Sequence, residues 1–479
     1  MQIRFGLVLA LALGLGLVGC ASGGGGSQGG GLDAILSQSQ SADAGENPRR
    51  TDNTNMAQDA LNAAEEADED GDTQQAQMHY RQALAAAELE IQADPTNPLG
   101  HRLAALAALG LEDYAAAGRH FDRAVELRPV YEFELVSVRE QAWIDLYQEA
   151  TPFVNSGDYA GAVEYFQDAD AVYRGRPEAM VTLGQLHAQL RNHDEAIDAL
   201  DRAIAFQDSE NMAVADSATA ATWQEQIDEL PLLRAQVLAD AGRFEEAAVA
   251  YRELSDQSPG DINLKRGLAA ILMELNDEEA AFVLYGEMLD MQGLSAQDLF
   301  SIGVGFYQGS NYEMAAQAFR QAAEASRNDR DSIEMWARSL QLDSAYTQVP
   351  PVARRWIDLD PNSQNAYLIL AQSANQMEDQ ATTQQAVQAV DALDVVMQNL
   401  QMTRLSSGGA SVTGEVINKK LDAGDSVTLR FTFYDDGGTP IGSVTETVAV
   451  GDVDMSQIFS IQFDSAETVG GYGYQVSGG

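Results

Sequence analysis

Cysteine and positive charge are both scarce in this sequence. One cysteine occurs among 479 residues, so a disulfide within the chain and a cluster of cysteine ligands for a metal are both excluded. Lys and Arg together number 28 against 73 Asp and Glu, which gives a formal net charge of −45 at pH 7. A field of that sign repels phosphate backbones, and we therefore expect no nucleic-acid binding. The charge is typical of a solvated acidic surface, with a dedicated site for a cationic partner as the alternative.

Motifs for catalysis and cofactor binding are missing as well. The sequence has no His-Glu-x-x-His and no P-loop, and its one Gly-x-Ser-x-Gly match, at residues 25–29, lies in a Gly-rich run and not between a strand and a helix. Asp68 to Asp72 resembles part of a calcium loop, but its glycine is at the fourth position and no glutamate closes the loop. His187 and His193 lack the i,i+4 spacing of a helical metal pair. We therefore predict a protein that is not an enzyme and carries no cofactor or metal.

Long apolar runs are also scarce. After Val18, no stretch approaches the ~20 apolar residues that a helix needs to cross a bilayer. The run from Phe5 to Val18 follows Arg4 and has the length of the hydrophobic part of a secretory signal. The residues that end it, Leu17-Val18-Gly19-Cys20, resemble the lipobox of bacterial lipoproteins. An ordinary secreted protein with an unrelated cysteine is the alternative.

The lipobox resemblance implies a location in the bacterial cell envelope. It implies a signal peptide at 1–19 and a lipid, palmitate among its acyl chains, on Cys20, which together hold the protein stably at a membrane. Ala21 and Ser22 follow without an aspartate, a pattern that resembles outer-membrane sorting, on the periplasmic or the surface face. Residues 20–55 are rich in Gly and Ser, which predicts a flexible tether.

A repeated pattern occupies residues 56–402. A turn, a helix start and an alanine recur in Leu111–Ala117, Gly157–Ala162, Asn192–Ala196 and Gly242–Ala247. The pattern resembles the tetratricopeptide repeat (TPR), a helix-turn-helix unit of 34 residues. The resemblance implies a mainly α fold, a solenoid of about eight or nine hairpins whose faces are buried only by stacking. If the equivalent positions are taken as Ala247, Ala280, Ala315, Val349 and Thr383, the steps are 33, 35, 34 and 34 residues.

The repeat departs from its period in three places. Two steps in the first half are 41 and 45 residues long, which predicts extended helices there. A step of 51 residues predicts an insertion near 207–224, as a loop or a short extra helix. Finally, Asp391–Met402 carries Leu393, Val396 and Leu400 on one stripe, which predicts a capping helix that leads to the next domain.

Residues 403–479 change from a helical period to strict alternation. In Ser426–Tyr434 every second residue is apolar, as in a half-buried strand. Further strands are predicted at 410–418, 440–450, 457–463 and 471–476, so we expect a small antiparallel β-sandwich. Val412–Asn418 and Phe431–Asp435 resemble the FxLYD-type domain of bacterial surface proteins and lipoproteins, with Phe433 where that family usually has Leu. The resemblance implies a fold and no chemistry.

The TPR resemblance also implies a binding surface, because the first helix of each hairpin lines a concave groove in that family. Phe300, Tyr307 and Arg338 predict an anchor for a peptide or partner helix, since aromatic residues and Arg dominate binding hot spots. Packing of the two rings against adjacent repeats is the alternative. The repeat phase places eight side chains in the groove: Lys265, Phe300, Val304, Tyr307, Arg338, Leu368, Gln372 and Asn375.

Two functions follow from this organisation. The first is a membrane-anchored TPR scaffold that binds proteins or peptides of the envelope, within an assembly, secretion or export complex. The second is a lipoprotein that binds a surface or cell-wall ligand through the C-terminal β domain, with the repeats as a spacer.

Overall fold

A computed structural model describes residues 45–478 of the chain. Cys20, the predicted signal peptide and most of the predicted tether lie outside the described residues, so lipidation stays a prediction. The chain divides between Ala250 and Tyr251 into two compact units, and each unit is described by itself.

The first unit is built from helices. They are α1 (Asp52–Glu69), α2 (Thr73–Ala93), α3 (Pro98–Gly110), α4 (Tyr114–Leu127), α5 (Tyr131–Ser156), α6 (Tyr159–Val172), α7 (Glu178–Leu190), α8 (His193–Ala205), α9 (Glu210–Val214), α10 (Ser217–Asp228), α11 (Leu230–Asp240) and α12 (Phe244–Gln257), of which the last runs past the division between the units.

The second unit contains helices followed by strands. The helices are α13 (Ile262–Glu274), α14 (Glu278–Leu289), α15 (Ala296–Gln308), α16 (Tyr312–Ala325), α17 (Arg330–Leu342), α18 (Val349–Leu359), α19 (Gln364–Gln376) and α20 (Gln380–Ala392). The strands are β1 (Val395–Arg404), β2 (Ala410–Asn418), β3 (Ser426–Tyr434), β4 (Pro440–Ala449), β5 (Ser456–Phe463) and β6 (Gly471–Ser477).

Nine turns between paired helices share one backbone geometry. After the first helix one residue adopts a left-handed φ of 59° to 80°. The next residue donates its backbone N–H to the carbonyl five residues earlier, at 2.8–3.0 Å. Together these form the Schellman motif that ends a helix. The donor residues are Asp72, Asp113, Asp158, Asn192, Arg243, Asp277, Asn311, Ala345 and Asp379.

In eight of the nine hairpins the same donor residue also lies directly before the second helix; hairpin 8 is the exception, because α18 begins four residues after Ala345. In six of the nine turns its Asp or Asn side chain accepts the backbone N–H three residues later, which satisfies one of the free amides at the helix start. We number the pairs as hairpins 1 to 9: α1/α2, α3/α4, α5/α6, α7/α8, α11/α12, α13/α14, α15/α16, α17/α18 and α19/α20. The prediction of a mainly α repeat array with about eight or nine hairpins is confirmed.

A small buried residue lies four positions after the donor residue in most hairpins. In eight of the nine it is an alanine or valine that is 1% exposed or less: Ala76, Ala117, Ala162, Ala196, Ala247, Ala281, Ala315 and Val349. Hairpin 6 therefore uses Ala281, and the predicted equivalence of Ala280 was wrong by one residue. The two alanines are adjacent and identical in chemistry, so only the position of the Asp277 cap distinguishes them. With this correction the steps from Ala247 to Thr383 are all 34 residues.

Close contact within a hairpin depends on glycine in the first helix. A Cβ atom on Gly184 would lie 2.6 Å from Leu200, and one on Gly303 would lie 2.7 Å from Phe319. Both distances are too short for carbon atoms. Leu200 and Phe319 are fully buried, so each fills the space that the glycine leaves and joins the core between the paired helices.

The N-terminal boundary of the array is earlier than predicted. The sequence predicts a tether up to residue 55, but α1 begins at Asp52 and Thr51 caps it by accepting the N–H of Thr54 at 3.2 Å. Before that, Glu46 N–H donates to the Leu127 carbonyl at 2.7 Å, and Arg49 forms an ion pair with Asp94 at 2.6 Å. The boundary was predicted too late because the segment has the polar composition of a tether, and composition alone indicates neither a helix cap nor a tertiary contact.

The irregular part of the first unit agrees with its predicted lengths. Helices α2 and α5 are 21 and 26 residues long, and the 207–224 region contains the short helix α9 and the start of α10. Trp223 on α10 anchors the insertion. Its indole N–H donates to Glu178 at 3.0 Å, and its ring meets Phe206 edge-on at 5.4 Å.

Two three-stranded antiparallel sheets form the C-terminal region. Their strand orders are β1-β2-β5 and β4-β3-β6. Side chains from both sheets share one core: Phe433 stacks on Phe463 at 4.6 Å, and Phe431 lies 5.6 Å from Phe459. The five predicted strands and the small antiparallel sandwich are confirmed.

The predicted capping helix at Asp391–Met402 is wrong, because most of that segment is strand β1. The register between β1 and β2 shifts at a bulge between Gln398 and Gln401. The extra residue brings Leu400 to the core beside Met397, since a bulge adds one residue to the strand. Val396 is also buried, so the buried residues Val396 and Leu400 are four residues apart, which is the spacing of a helical stripe. The repeat array therefore ends at Ala392 and the sandwich begins at Val395, earlier than the predicted 402/403 boundary.

Candidate partner-binding surface

The eight predicted groove residues lie on the first helices of four successive hairpins in the second unit. Lys265 is on α13; Phe300, Val304 and Tyr307 are on α15; Arg338 is on α17; and Leu368, Gln372 and Asn375 are on α19. Gln372 and Asn375 are exposed, and the other six are partly buried. Within residues 251–478, no hydrogen bond or ring contact joins two members of this set directly.

The aromatic pair makes its ring contacts inside its own hairpin. Phe300 meets Phe319 edge-on at 5.3 Å, and Tyr307 meets Tyr312 edge-on at 5.4 Å. Phe319 and Tyr312 both belong to α16, the second helix of the pair. Phe300 and Tyr307 therefore contribute to hairpin packing, and each keeps part of its surface accessible.

The two cations of the set are paired with carboxylates. Lys265 Nζ lies 2.8 Å from Glu287, and Arg338 lies 2.7 Å from Glu334. The Arg338 guanidinium also lies 5.6 Å from the centre of the Trp356 ring. Gln372 accepts a hydrogen bond from Gln341 of the preceding hairpin, so α17 and α19 are linked along this face.

A cleft of about 650 Å³ lies beside the start of α15. The helix contributes its first turn, and β1 contributes Thr403 and Arg404 on the other side. Phe300 follows one helical turn after the residues of α15 that line the cleft. The predicted anchor and the cleft therefore lie on consecutive turns of one helix.

Sequence reasoning missed a buried ionic cluster where the sandwich meets the repeats. Arg330 donates to Asp360 Oδ2 at 2.9 Å and forms further ion pairs with Glu334 at 2.8 Å and Asp331 at 2.7 Å. The hydroxyl of Tyr474 donates to the other oxygen of Asp360. Because Asp360 is fully buried, both of its oxygens need such partners.

Burial dominates the electrostatics of this cluster. It raises the pKa of Asp360, against the opposing effects of Arg330 and of the Tyr474 hydrogen bond. Burial, together with Asp360, also raises the pKa of Tyr474. The Arg330 guanidinium lies 5.7 Å from the Trp356 ring, on which Arg338 also lies. A charged pair, a phenol and an indole thus form one connected group.

Backbone contacts complete the joint between the sandwich and the repeats. Ser326 donates its hydroxyl to the Gly470 carbonyl at 2.9 Å, and Arg327 N–H donates to the Asp436 carbonyl at 3.0 Å. A Cβ atom on Gly471 would lie 1.9 Å from the Asn328 carbonyl oxygen, so only glycine fits there. The alternating Tyr472 and Tyr474 of β6 were the one signal in the sequence that could have indicated a buried face.

Neither a metal-binding cluster nor a membrane-spanning helix occurs among residues 45–478. No group of three or more His, Cys, Asp or Glu side chains in this range could hold a metal ion. No helix in it is both long and apolar enough to cross a membrane.

Comparison with known proteins agrees with the hairpin geometry. The tetratricopeptide repeat family model matches residues 154–215, which contain hairpin 4. The matched segment therefore contains a tetratricopeptide repeat. No curated protein matches the sequence.

Several solved structures are similar to this chain, and the titles of two of them name the tetratricopeptide repeat. The C-terminal part of a TPR repeat-containing protein from Cytophaga hutchinsonii has 15% identity and a TM-score of 0.38, over 52% of this chain and 95% of that one. A tetratricopeptide repeat protein from Parabacteroides merdae has 16% identity and a TM-score of 0.26, over 60% and 99%. MamA from Desulfovibrio magneticus RS-1 has 16% identity and a TM-score of 0.28, over 34% and 92%.

Proposed function

We propose that this TPR protein is a membrane-anchored scaffold that binds protein partners of the bacterial cell envelope, within an assembly, secretion or export complex. The first helices of hairpins 6 to 9 would hold the partner, and a lipid on Cys20 would hold the scaffold at the outer membrane. The observation that carries the proposal is the run of partly exposed side chains on α15, α17 and α19, the equivalent helices of successive repeats. A TPR array binds through such a face and performs no chemistry.

The aromatic residues on α15 supply the anchor. Their contacts with α16 hold both rings in place, so little side-chain entropy is lost when a partner binds. A partner helix that inserts an apolar side chain between Phe300 and Tyr307 would bury the exposed part of both rings. Gln372 and Asn375 on α19 then provide polar contacts at the rim, where hydrogen bonds fix orientation.

Crosslinking in intact envelopes tests the scaffold. The double change Phe300→Ala with Tyr307→Ala should reduce partner recovery, while Val283→Ala, an exposed apolar residue of α14, should leave it unchanged. Because the two rings also pack on α16, a second variant, Asn375→Lys, places a bulky charge on the same face without removing a packing residue. Normal partner recovery with both the double variant and Asn375→Lys would remove the groove proposal.

The lipid anchor has its own test. Cys20→Ser should release a folded protein from the membrane fraction into the soluble fraction, because no other residue of the lipobox carries the thiol. Fractionation followed by immunodetection measures this. If the variant stays with membranes, Cys20 is not the anchor.

A second candidate function places the working surface on the sandwich, with the repeats as a spacer that presents it to a surface or cell-wall ligand. Val453, Met455 and Ile458 favour it, because all three are largely exposed and Ile458 is 81% accessible on the edge strand β5. We also propose an FxLYD-type identity for the sandwich, since Phe431 and Phe433 of that motif are fully buried core residues of β3. Met455→Ser with Ile458→Ser should abolish ligand binding under this hypothesis and leave it intact under the scaffold hypothesis.

A further inference from the structure

A second cleft, in the first unit, has a chemistry of its own. It has a volume of about 380 Å³ and is formed by α6, α7 and α8 of hairpins 3 and 4. Its lining residues are Gln167, Asp170, Leu183, His187, Asp194, Glu195, Asp198, Ala199 and Arg202. We refer to this set as the acidic cleft. None of these residues belongs to the predicted groove.

One lining residue of the acidic cleft, His187, differs in type from the equivalent residues of the other hairpins. His187 is the residue whose carbonyl accepts the backbone bond of the turn in hairpin 4. In the other eight hairpins the equivalent residue is apolar: Ala67, Ala108, Phe153, Leu238, Leu272, Phe306, Leu340 and Ala374. Phe153 and Phe306 fill this position with a large ring, whereas His187 is smaller and polar and lines open space.

The charges of the cleft do not balance. Four carboxylates line it against one guanidinium, that of Arg202. Arg202 is shared, because it contacts Asp170 at 2.5 Å and Asp198 at 3.0 Å. Asp194 has a distant neighbour in Arg243 at 3.8 Å. Burial lowers the pKa of His187, so this side chain adds no positive charge at neutral pH.

Asp170 shows that a donor is lacking. The residue is only 7% exposed, and its Oδ1 has no hydrogen bond within the described residues. Arg174 Nε lies 4.0 Å from that oxygen, which is beyond hydrogen-bond distance. A buried carboxylate oxygen without a donor is costly. An added cation in the cleft would lower that cost through the Coulomb attraction between the two charges.

We propose that the acidic cleft binds a lysine or arginine side chain from a basic segment of a partner protein. The aliphatic stem of that side chain would lie on Leu183 and Ala199, and its charged end would lie among Asp194, Glu195 and Asp198, which line the same cleft. Long side chains of this kind bury the stem and keep the charge at polar groups. The net charge of −45 on the whole chain also favours the approach of basic segments. The site is separate from the groove on α15 to α19, so it can fail without affecting the scaffold proposal.

His187→Phe tests the cleft without changing any carboxylate. Because phenylalanine already occupies this position in hairpins 3 and 7, the variant should fold normally and fill the cleft. Binding of a fluorescein-labelled tetralysine peptide to the purified protein, followed by fluorescence anisotropy, should weaken by about tenfold or more in the variant. Circular dichroism checks the fold.

Two further measurements separate specific binding from general attraction to an acidic protein. The triple change Asp194→Asn, Glu195→Gln and Asp198→Asn should weaken peptide binding as His187→Phe does. The matched control, Glu225→Gln, Asp228→Asn and Glu229→Gln, removes the same charge from exposed positions of the same unit, and it should change affinity by less than about twofold.

Three results would overturn the proposal. The first is unchanged tetralysine binding by His187→Phe. The second is an equal loss of affinity in the exposed-charge control and in the cleft triple variant. The third concerns a free polyamine: if spermidine binds more tightly than the peptide, and only this binding is lost in His187→Phe, the cleft accepts a small cation and not a partner protein.

Discussion

The repeat array and the sandwich are held together by opposite kinds of contact. In the array, nine turns repeat one local arrangement, in which each backbone bond closes over five residues. The sandwich is attached by bonds between residues far apart in sequence: 114 residues separate Tyr474 from Asp360, and 144 separate Gly470 from Ser326. The disruption of one turn should therefore cost the array little stability. The attachment of the sandwich to the repeats, in contrast, depends on a few buried hydrogen bonds.

The largest effect should follow from breaking the joint at Arg330. Arg330→Met leaves Asp360 buried without its cation, and the loss of one partner of a buried ion pair costs about 3–5 kcal/mol. Urea unfolding followed by tryptophan fluorescence, with Trp356 as a local reporter, measures this loss. Arg354→Met, an exposed residue of α18, is the control and should change stability by less than about 0.5 kcal/mol. Equal effects of the two changes would mean that the cluster does not hold the joint.

The second-largest losses of stability should follow from replacing glycines at close backbone contacts. One such glycine lies in the array and one at the joint, so the two regions can be compared directly. A Cβ on Gly118 would lie 1.9 Å from the Ala171 carbonyl in the array, and a Cβ on Gly471 would lie 1.9 Å from the Asn328 carbonyl at the joint. Gly118→Ala and Gly471→Ala should each cost about 1–3 kcal/mol in the free energy of unfolding, because a backbone must move. Gly260→Ala has open space around its Cβ and serves as the control.

The turns should respond more weakly, and in both directions. Gly157 has a φ of 80° in the left-handed region, where Glu378 has a φ of 60°. Gly157→Ala should lower stability by about 1 kcal/mol, and Glu378→Gly should raise it by up to about the same amount, because only glycine adopts this region without steric cost. Thermal unfolding of both variants beside the parent protein measures the shifts. If both variants shift the melting temperature in the same direction, the left-handed residue of the turn is not a shared source of backbone strain.

The smallest effect should be a pH dependence confined to the first unit. His101 Nδ1 lies 3.2 Å from His120 Nδ1, and burial lowers the pKa of both rings below 6.5. The unfolded chain therefore binds protons first as the pH falls, so stability should drop from pH 6.5 down to the lowered pKa values. His101→Asn with His120→Asn should reduce the slope of melting temperature against pH between 7.5 and 5, part of which remains because burial also lowers the pKa of His187, whereas His79→Asn should keep the slope of the parent protein.

Much of the fold could be predicted because its signals are local. The left-handed turn residue, the Asp or Asn cap and the alanine four positions later all lie within a few residues, so helix pairs and their period were evident. Alternation predicted five of the six strands. The sixth, β1, was hidden because the bulge near Gln398 spaces its apolar residues as a helix does. Ala280 was chosen over Ala281 because adjacent alanines carry no directional signal.

The candidate sites were also predictable only where their signals are local in the sequence. The position of Phe300 and Tyr307 on a first helix followed from the repeat phase, but their contacts with α16 did not. The acidic cleft required three helices to be placed before Asp170 and Glu195 could be seen to line one space. The Arg330 cluster required β6 to be placed on the ends of α17 and α18.

The sequence by itself determined that the chain folds as stacked helical hairpins followed by a β-sandwich, because turn chemistry and periodicity act over short distances. It also contains the lipobox-like segment at Cys20, which needs no fold to be recognised. Only the tertiary structure decided which charges are buried together, where the sandwich attaches and which carboxylates line a common cleft. These features depend on loop closure across 30 to 144 residues, and no local pattern specifies such pairings.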